Sequence, residues 1–484
     1  MQDIRKKTEK GIKWSAVDQV FRVVLNLAIS GFLARYITPA EYGLFAMVTV
    51  VTGFLSIFKD FGLGNAVIYK TDITKDEINN IFWMNNGIAG FLGLILLIGA
   101  PFIAGFYNEP KLTLISQAMA VLFMVGSLAS IPDALVRKDI NFKALFTRNI
   151  INLLLSGGVA IVCAYSGLGL WSLIIQMYIS TIVGTYLNFK MVSWRPSFKK
   201  PEWHVLKPFL SYSLPLFGEN SFNYWVRNVD NLLVGKVLGE QTLGYYNRAY
   251  NLMLLPVRQI SGAIMRVVFP AFSLIKHDKN KVWVNYKMLL SITSFVTFPL
   301  MAGMFVLGDE IIMIVYGKNW MESVPIFKAL CFLGAIQSIG TFCGSIFSSQ
   351  GKTLLQFKMG LFTKTIMISG IVGGLYLGGI SGLIIGYTIT SCICFIIESF
   401  FVMLVLEQKF LLFFTAFIKE LFITLFVFGI VYILKAKFSL DGIFLNVLLV
   451  TIFGSLFYFS LSFLLKTQGI LFIKEKINGA KKNR

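Results

Sequence analysis

The chain has 484 residues, 56% hydrophobic and only 14% charged, with a mean hydropathy of +0.73. A soluble protein carries about 25% charged residues, so this composition excludes a soluble enzyme or binding domain. The net charge of +20 does not mark a nucleic-acid binder, because the basic residues are dealt out among loops between apolar stretches, as cytoplasmic loops of membrane proteins require.

A membrane span needs about 20 predominantly apolar residues. Fourteen stretches meet this expectation: 14–36, 42–60, 81–106, 113–135, 144–165, 168–189, 212–238, 250–272, 286–307, 325–348, 357–377, 380–405, 413–434 and 443–465. The first follows a basic leader (Arg5, Lys6, Lys7, Lys10, Lys13) and contains Asp18, Gln19, Arg22 and Asn26. A cleaved signal peptide has an uninterrupted apolar centre, so this span is expected to be retained. The leader, the loops after each even-numbered span and the Lys474–Arg484 tail collect most of the positive charge. Both termini are therefore expected on the cytoplasmic side, which requires an even number of spans. The loops on the other side are all short.

Five cysteines lie in apolar stretches without zinc-ligand spacing, and His204 and His277 lie in basic loops. Neither a metal site nor a cofactor nor histidine-centred catalysis is expected. Gly351-Lys352-Thr353 lacks the earlier glycine and preceding strand of a phosphate loop, which argues against ATP binding. Gly370-x-x-x-Gly374 and Gly382-x-x-x-Gly386 are expected to let helices approach closely.

The chain repeats itself. At an offset of 201, Tyr42-Gly43-Leu44-Phe45 falls on Leu243-Gly244-Tyr245-Tyr246, and Asp18, Gln19, Arg22 and Asn26 fall on Glu219, Asn220, Asn223 and Arg227. Six spans per repeat insert both halves the same way up. The expected fold is an all-α polytopic membrane protein with about 14 transmembrane helices. Two six-helix bundles are related by a pseudo-two-fold axis along the membrane normal, and two C-terminal helices follow. The expected lobes are 1–206 and 207–406, with spans 13 and 14 and the basic tail in 407–484. Those last two spans carry few polar residues and read as a lipid-facing appendage.

Charges inside spans are costly and persist mainly where they face a water-filled cavity. In span 1, Asp18, Arg22 and Asn26 are four residues apart, hence on one helical face. In span 7, Glu219, Asn223 and Arg227 repeat the spacing, followed by Asp230. The repeat predicts that the two stripes face each other. Span 8 adds Arg258 and Arg266. Arginine is a fixed cation whose fork of donors matches phosphate, so Arg22, Arg227, Arg258 and Arg266 suit a phosphate or diphosphate. Asp18, Glu219 and Asp230 are candidates for holding those arginines or exchanging a proton. Gln19, Asn26, Asn220, Asn223, Tyr224 and Trp225 are candidate sugar contacts. A purely structural reading, with Asp18–Arg22 and Arg227–Asp230 locking helices together, stays open.

The run Ile37-Thr38-Pro39-Ala40-Glu41-Tyr42-Gly43-Leu44 resembles the first outer loop of bacterial polysaccharide exporters. So do Phe58-Lys59-Asp60-Phe61-Gly62-Leu63-Gly64-Asn65-Ala66 and Leu243-Gly244-Tyr245-Tyr246-Asn247-Arg248-Ala249-Tyr250 with Leu255-Pro256. They are similar to flippases for lipid-linked repeat units, of the colanic-acid-exporter type, in the multidrug/oligosaccharidyl-lipid/polysaccharide exporter superfamily. The resemblance implies translocation of undecaprenyl-diphosphate-linked oligosaccharide across the bacterial cytoplasmic membrane. It also implies polysaccharide polymerase and assembly proteins as partners, with no nucleic acid. Alternatives are a peptidoglycan-precursor flippase, an ion-coupled drug exporter, and a membrane polymerase or glycosyltransferase. The arginines count against the drug exporter and the short outer loops against the enzyme.

Overall fold

A computed structural model describes the backbone of residues 2–60, 72–138, 142–198, 203–437 and 442–472, and isolated positions at 64, 67, 68, 70 and 474. Side chains are described within these segments except at 2–16, 59–60, 142, 203–217, 219–220, 263 and 266–271. The leader's basic side chains and most of the Phe58–Ala66 motif lie outside the described residues.

Every regular element among the described residues is helical. In chain order these are α1 (Gln2–Tyr36), α2 (Pro39–Asp60), α3 (Lys75–Tyr107), α4 (Lys111–Ser127), α5 (Ser130–Lys138), α6 (Phe142–Tyr165) and α7 (Trp171–Met191). There follow α8 (Trp203–Leu274), α9 (Lys279–Val306), α10 (Gly308–Val315), α11 (Ser323–Gly340), α12 (Cys343–Ser349) and α13 (Thr353–Val405). The last are α14 (Leu411–Phe414), α15 (Ile418–Lys437) and α16 (Ile443–Leu464). Each of the fourteen expected stretches falls on helix. Among the described residues eight helices are long and apolar enough to cross a membrane by themselves, and nine if the bent pair α4–α5 is one span.

Two helices are too long for one crossing. At 1.5 Å per residue, the 72 residues of α8 and the 53 of α13 greatly exceed the roughly 30 Å of a hydrocarbon core. Both are broken by glycine. Gly239 takes φ 82°, and Gly378–Gly379 takes φ −151° then 57°, left-handed values at Gly239 and Gly379 that favour glycine. These breaks fall between the expected spans 212–238 and 250–272, and between 357–377 and 380–405. The two arms of α13 then fold onto each other through glycine. A Cβ on Gly374 would meet the Gly382 carbonyl, and one on Gly382 the Gly374 carbonyl; Gly370 and Gly386 form the same reciprocal pair. The close approach expected of the two G-x-x-x-G motifs is what the structure shows.

The chain divides into two compact units, Met1–Gly244 with Val315–Asn319, and Tyr245–Ile314 with Trp320–Arg484. In the first unit α4 packs on α2, α3 and α7, and α6 on α1 and α7. A buried cluster of Ile81, Phe82, Ile131, Val136, Val192 and Trp194 joins α3, α5 and the end of α7. In the second unit α9 packs on α11 and α15, and α11 on α13. Tyr286, Phe342, Phe413 and Phe417 anchor one core there, and Phe295, Val427, Phe428 and Tyr458 another.

The second core corrects the expectation of a lipid-facing appendage. Helices α15 and α16 do expose many apolar side chains, but they pack on α9 and bury Glu420, Thr424, Tyr458 and Ser462. At the far end of α15, Lys435 reaches Glu310 at 2.7 Å and the Val306 carbonyl at 2.7 Å. Having few polar residues does not mean having no polar contacts: Glu420, Thr424, Tyr458 and Ser462 turn inward, while Lys419, Thr451, Ser455 and Ser460 stay exposed.

The Ile37–Leu44 motif has a direct physical reading. Thr38 caps α2: its hydroxyl accepts from Glu41 N at 3.3 Å, while Glu41 Oε2 accepts from Thr38 N at 2.8 Å and Thr38 Oγ1 at 2.9 Å. This is a reciprocal capping box, with Pro39 at the first helical position, where its missing N–H costs nothing. The other Glu41 oxygen accepts from Leu170 N at 3.0 Å, tying the start of α2 to the start of α7. A Cβ on Gly43 would strike the carbonyl of Glu240, and a Cβ on Gly244 the carbonyl of Pro39. Residues 43 and 244, and 39 and 240, are both 201 apart, so the crossing is reciprocal, as a local two-fold relation demands.

Because the obstructing atoms are backbone, they cannot rotate away. Gly43→Ala or Gly244→Ala is expected to cost about 3 kcal/mol, the upper part of the range for overpacking. Gly87→Ala, on α3 where an added Cβ meets nothing within 4 Å, is expected to be neutral or slightly stabilising through helix propensity. Thermal unfolding of the purified protein in detergent checks all three.

Candidate functional site

Asp18 and Arg22, one turn apart on α1, form an ion pair at 2.9 Å. Asp18 does not face only its own helix. Asn149 Nδ2 on α6 donates to both of its carboxylate oxygens at 3.3 Å. Asn149 Oδ1 accepts in turn from Arg148 Nε and Nη2 at 3.2 and 2.9 Å. Arg148 Nη1 reaches Asp133 Oδ1 on α5 at 2.5 Å and Asn188 Oδ1 on α7 at 2.6 Å. Asp133 Oδ2 takes Arg137 Nη2 at 2.5 Å. A continuous polar chain thus runs Arg22–Asp18–Asn149–Arg148–Asp133–Arg137 across three helices of the first unit, and Asn188, on Arg148, adds a fourth.

Burial divides this chain into a locked middle and free ends. Arg148 and Asp133 expose 14% and 21% of their side chains, whereas Arg22 and Arg137 expose 46% and 63%. Three guanidinium groups against two carboxylates leave one net positive charge, and the exposed members carry it. An anion can approach Arg22 without breaking the middle.

The sequence reading missed Arg148, Asp133, Asn149 and Asn188. Arg148 lies inside an expected span, close enough to its start to read as one of the basic flanking residues. The signals were present: Asp133 and Arg137 are four apart, and Arg148-Asn149 stands where apolar residues are expected.

The other expected site residues divide similarly. Asn26 Nδ2 donates to the Arg22 carbonyl at 2.7 Å, within its own helix. Tyr224 donates to the Val50 carbonyl at 2.7 Å, with Gly53 of α2 directly beneath its hydroxyl, so it fastens α8 to α2. Trp225 lies against Phe54, ring centroids 4.8 Å apart, and stays 38% exposed. Asp230 is 2% exposed and accepts from Asn231 N at 2.7 Å and Nδ2 at 3.1 Å. Gln19 and Asn223 are half-buried, and Arg227 and Arg258 are exposed on the first and second arms of α8. The side chains of Glu219, Asn220 and Arg266 lie outside the described residues. The structure therefore joins Asp18 to Arg22, and it commits Tyr224 and Asn26 to backbone partners.

Removing one member of a mostly buried ion pair strands the other, at a cost of a few kcal/mol. Arg148→Met is expected to destabilise the protein by about 2–4 kcal/mol, and Arg22→Ala, at an exposed pair, by under about 1 kcal/mol. Unfolding midpoints of the two variants, measured side by side, check this ordering.

A family model described as polysaccharide biosynthesis protein matches residues 32–325. The lipopolysaccharide biosynthesis protein WzxC of Escherichia coli K12 is 27% identical over 406 residues, 83% of this chain and 82% of its own. The succinoglycan biosynthesis transport protein ExoT of Rhizobium meliloti is 23% identical over 388 residues, 80% of this chain and 78% of its own. Among solved structures, the lipid II flippase MurJ in an inward closed conformation superposes with a TM-score of 0.71 at 16% identity, covering 96% of this chain and all of that one. At that identity the likeness shows a shared fold. The family match extends over more than half of the sequence and takes in whole all three motifs that carried the resemblance, and with them the Gly43–Gly244 crossing; this chain belongs to the polysaccharide biosynthesis protein family of multi-pass membrane proteins.

Proposed function

We propose that this protein is a transporter, not an enzyme, and that it moves undecaprenyl-diphosphate-linked oligosaccharide repeat units across the bacterial cytoplasmic membrane by alternating access, for surface polysaccharide biosynthesis. What supports the reading most is kinship. Relatives that match along roughly four-fifths of both chains are named for lipopolysaccharide biosynthesis and for transport in succinoglycan biosynthesis. Both termini are cytoplasmic in this reading, on the strength of the basic loops.

The chemistry of the exposed residues agrees. A lipid-linked diphosphate carries charge that hydrocarbon cannot solvate, so its path must supply fixed cations. Arg22, Arg227 and Arg258 are exposed within helices, and arginine holds phosphate by paired, charge-assisted hydrogen bonds. In this proposal they bind the diphosphate, with Arg266 as a fourth candidate, while the polyprenyl chain stays in lipid. Asp18 keeps Arg22 oriented, and Glu219 and Asp230 remain candidates for proton exchange. Trp225 offers an aromatic face to a sugar ring, and Gln19, Asn220 and Asn223 offer hydrogen bonds to its hydroxyls. Polysaccharide polymerase and assembly proteins would receive the product.

Arg227→Ala and Arg258→Ala are each expected to abolish repeat-unit export, with normal amounts of protein in the membrane. The measurement is accumulation of lipid-linked intermediate in cells that depend on the variant. Unimpaired export in both would remove the diphosphate clamp. Rescue of a strain lacking its peptidoglycan-precursor flippase, and not of one lacking its polysaccharide flippase, would change the substrate.

A further inference from the structure

Within the second unit, α11 and α15 both pack on α9, and a cavity of about 230 Å³ opens between them. Met301 and Phe305 of α9 form its floor, Phe332 and Ala335 of α11 one wall, and Phe428 and Tyr432 of α15 the other. Its mouth is open, with Phe332 and Tyr432 52% and 48% exposed. From Phe422 to Leu434 every exposed side chain of α15 is aliphatic or aromatic. A mouth with such a rim opens on hydrocarbon and not on a watery cavity, where polar groups gather. Gly429 lines the same wall, yet a Cβ added there meets nothing within 4 Å. Glycine weakens a helix interior, and no packing inside the protein requires this one. A chain lying in the groove does.

One end of the groove runs into charge. On α15, Leu421, Leu425, Phe428 and Tyr432 recur at three- and four-residue steps on one face, and Lys435 is the next step. On α11, Lys328 stands four residues before Phe332 on the same face. Lys435 Nζ donates to the carbonyl of Val306, itself a lining residue, and to Glu310 Oε2, both at 2.7 Å. Lys328 Nζ donates to Asp309 Oδ2, which lies 4.0 Å from Lys435 Nζ. Lys435 and Glu310 are the shielded pair, 18% and 8% exposed, whereas Lys328 and Asp309 expose 24% and 47% of their side chains. Lys328 therefore keeps N–H donors to spare, and Asp309 Oδ1 has no partner among the described residues.

The dimensions select the occupant. Leu421 to Tyr432 spans about 16 Å along α15, half of the roughly 30 Å of a hydrocarbon core. The groove thus matches the depth of one leaflet and ends where a headgroup lies. Drug-sized ligands need pockets of about 300–1,000 Å³, so this one suits part of a single hydrocarbon chain. The cluster at its end holds two ammonium groups and two carboxylates, which cancel. An anionic headgroup would meet Asp309 with no cation to offer it. A zwitterion with a primary ammonium satisfies both exposed members, since phosphate accepts from Lys328 and the ammonium donates to Asp309. A quaternary ammonium has no N–H to donate.

We propose that the groove between α9, α11 and α15 binds one phosphatidylethanolamine molecule, with an acyl chain over Gly429, its phosphate on Lys328 and its ammonium on Asp309. The site stands independently of the transport reading, since it needs only a membrane-spanning unit and neither the arginines nor a lipid-linked substrate.

The test is thermal unfolding of the full-length protein, purified and delipidated in detergent, with added phosphatidylethanolamine, phosphatidylcholine or phosphatidylglycerol of identical acyl chains. A ligand that binds only the folded state raises the unfolding midpoint with concentration. Phosphatidylethanolamine is expected to raise the wild-type midpoint by several degrees, saturably, and the other two by less. Gly429→Leu, which fills the groove, is expected to abolish the shift, and Asp309→Asn to reduce it to the phosphatidylcholine level. If Gly429→Leu fails to fold, Ala302→Leu fills the groove from α9 and decides in its place. Equal shifts from all three lipids would overturn the proposal, as would a phosphatidylethanolamine shift unchanged in the variants. A larger shift from undecaprenyl phosphate, lost in Gly429→Leu, would give the groove to a polyprenyl chain and overturn the assignment.

Discussion

The crossing of α2 with the second arm of α8 is the constraint from which much else follows. Two glycines, Gly43 and Gly244, each lie over a backbone carbonyl of the opposite helix. Such an approach is available only where no Cβ intervenes. Side chains immediately around it, Tyr42, Leu44, Leu243 and Tyr246, are buried, so the closeness of the backbones is converted into dense packing. The capping box at Thr38 and Glu41 starts α2 one turn before the contact, and Gly239 breaks α8 just before it reaches Glu240. One short motif therefore sets where a helix begins, what it touches and which neighbour it is tied to through Leu170.

Charge is handled differently in the middle of a unit and at its edges. Arg148 and Asp133 are shielded and share three helices' worth of partners, so they behave as a structural rivet. Arg22, at the exposed end of the same chain, keeps one pairing with Asp18 and retains donors for an anion. Arginine's five donors make this division of labour feasible, since one guanidinium can hold a carboxylate and still present N–H groups elsewhere. The same logic separates Asp230, turned inward against Asn231, from Arg227 three positions earlier.

The polar groups of α15 and α16 show how little sequence frequency says about burial. These helices are among the most apolar segments of the chain, yet Glu420, Thr424 and Ser462 are all within 3% of complete burial. In a membrane the outward face has no use for a carboxyl, so Glu420 is driven toward helix neighbours, while the small hydroxyls of Thr451, Ser455 and Ser460 on α16 remain exposed.

The sequence by itself determined what depends on local chemistry and on period. Apolar length placed all fourteen expected stretches on helix, because a lipid core imposes a minimum span, but it did not mark the short helix α10 (Gly308–Val315). The two G-x-x-x-G motifs marked the close arms of α13, because a missing Cβ is a property of the residue alone. The 201-residue offset aligns Gly43 with Gly244, but that these two segments cross was visible only in the structure. Only the tertiary structure decided which polar residues meet. Asp133 lies in one expected span, Arg148 and Asn149 in another, Asn188 in a third and Asp18 in a fourth, and nothing in their spacing says that they share a network. Periodicity gives the face of one helix; which helix that face meets is settled by packing among all of them.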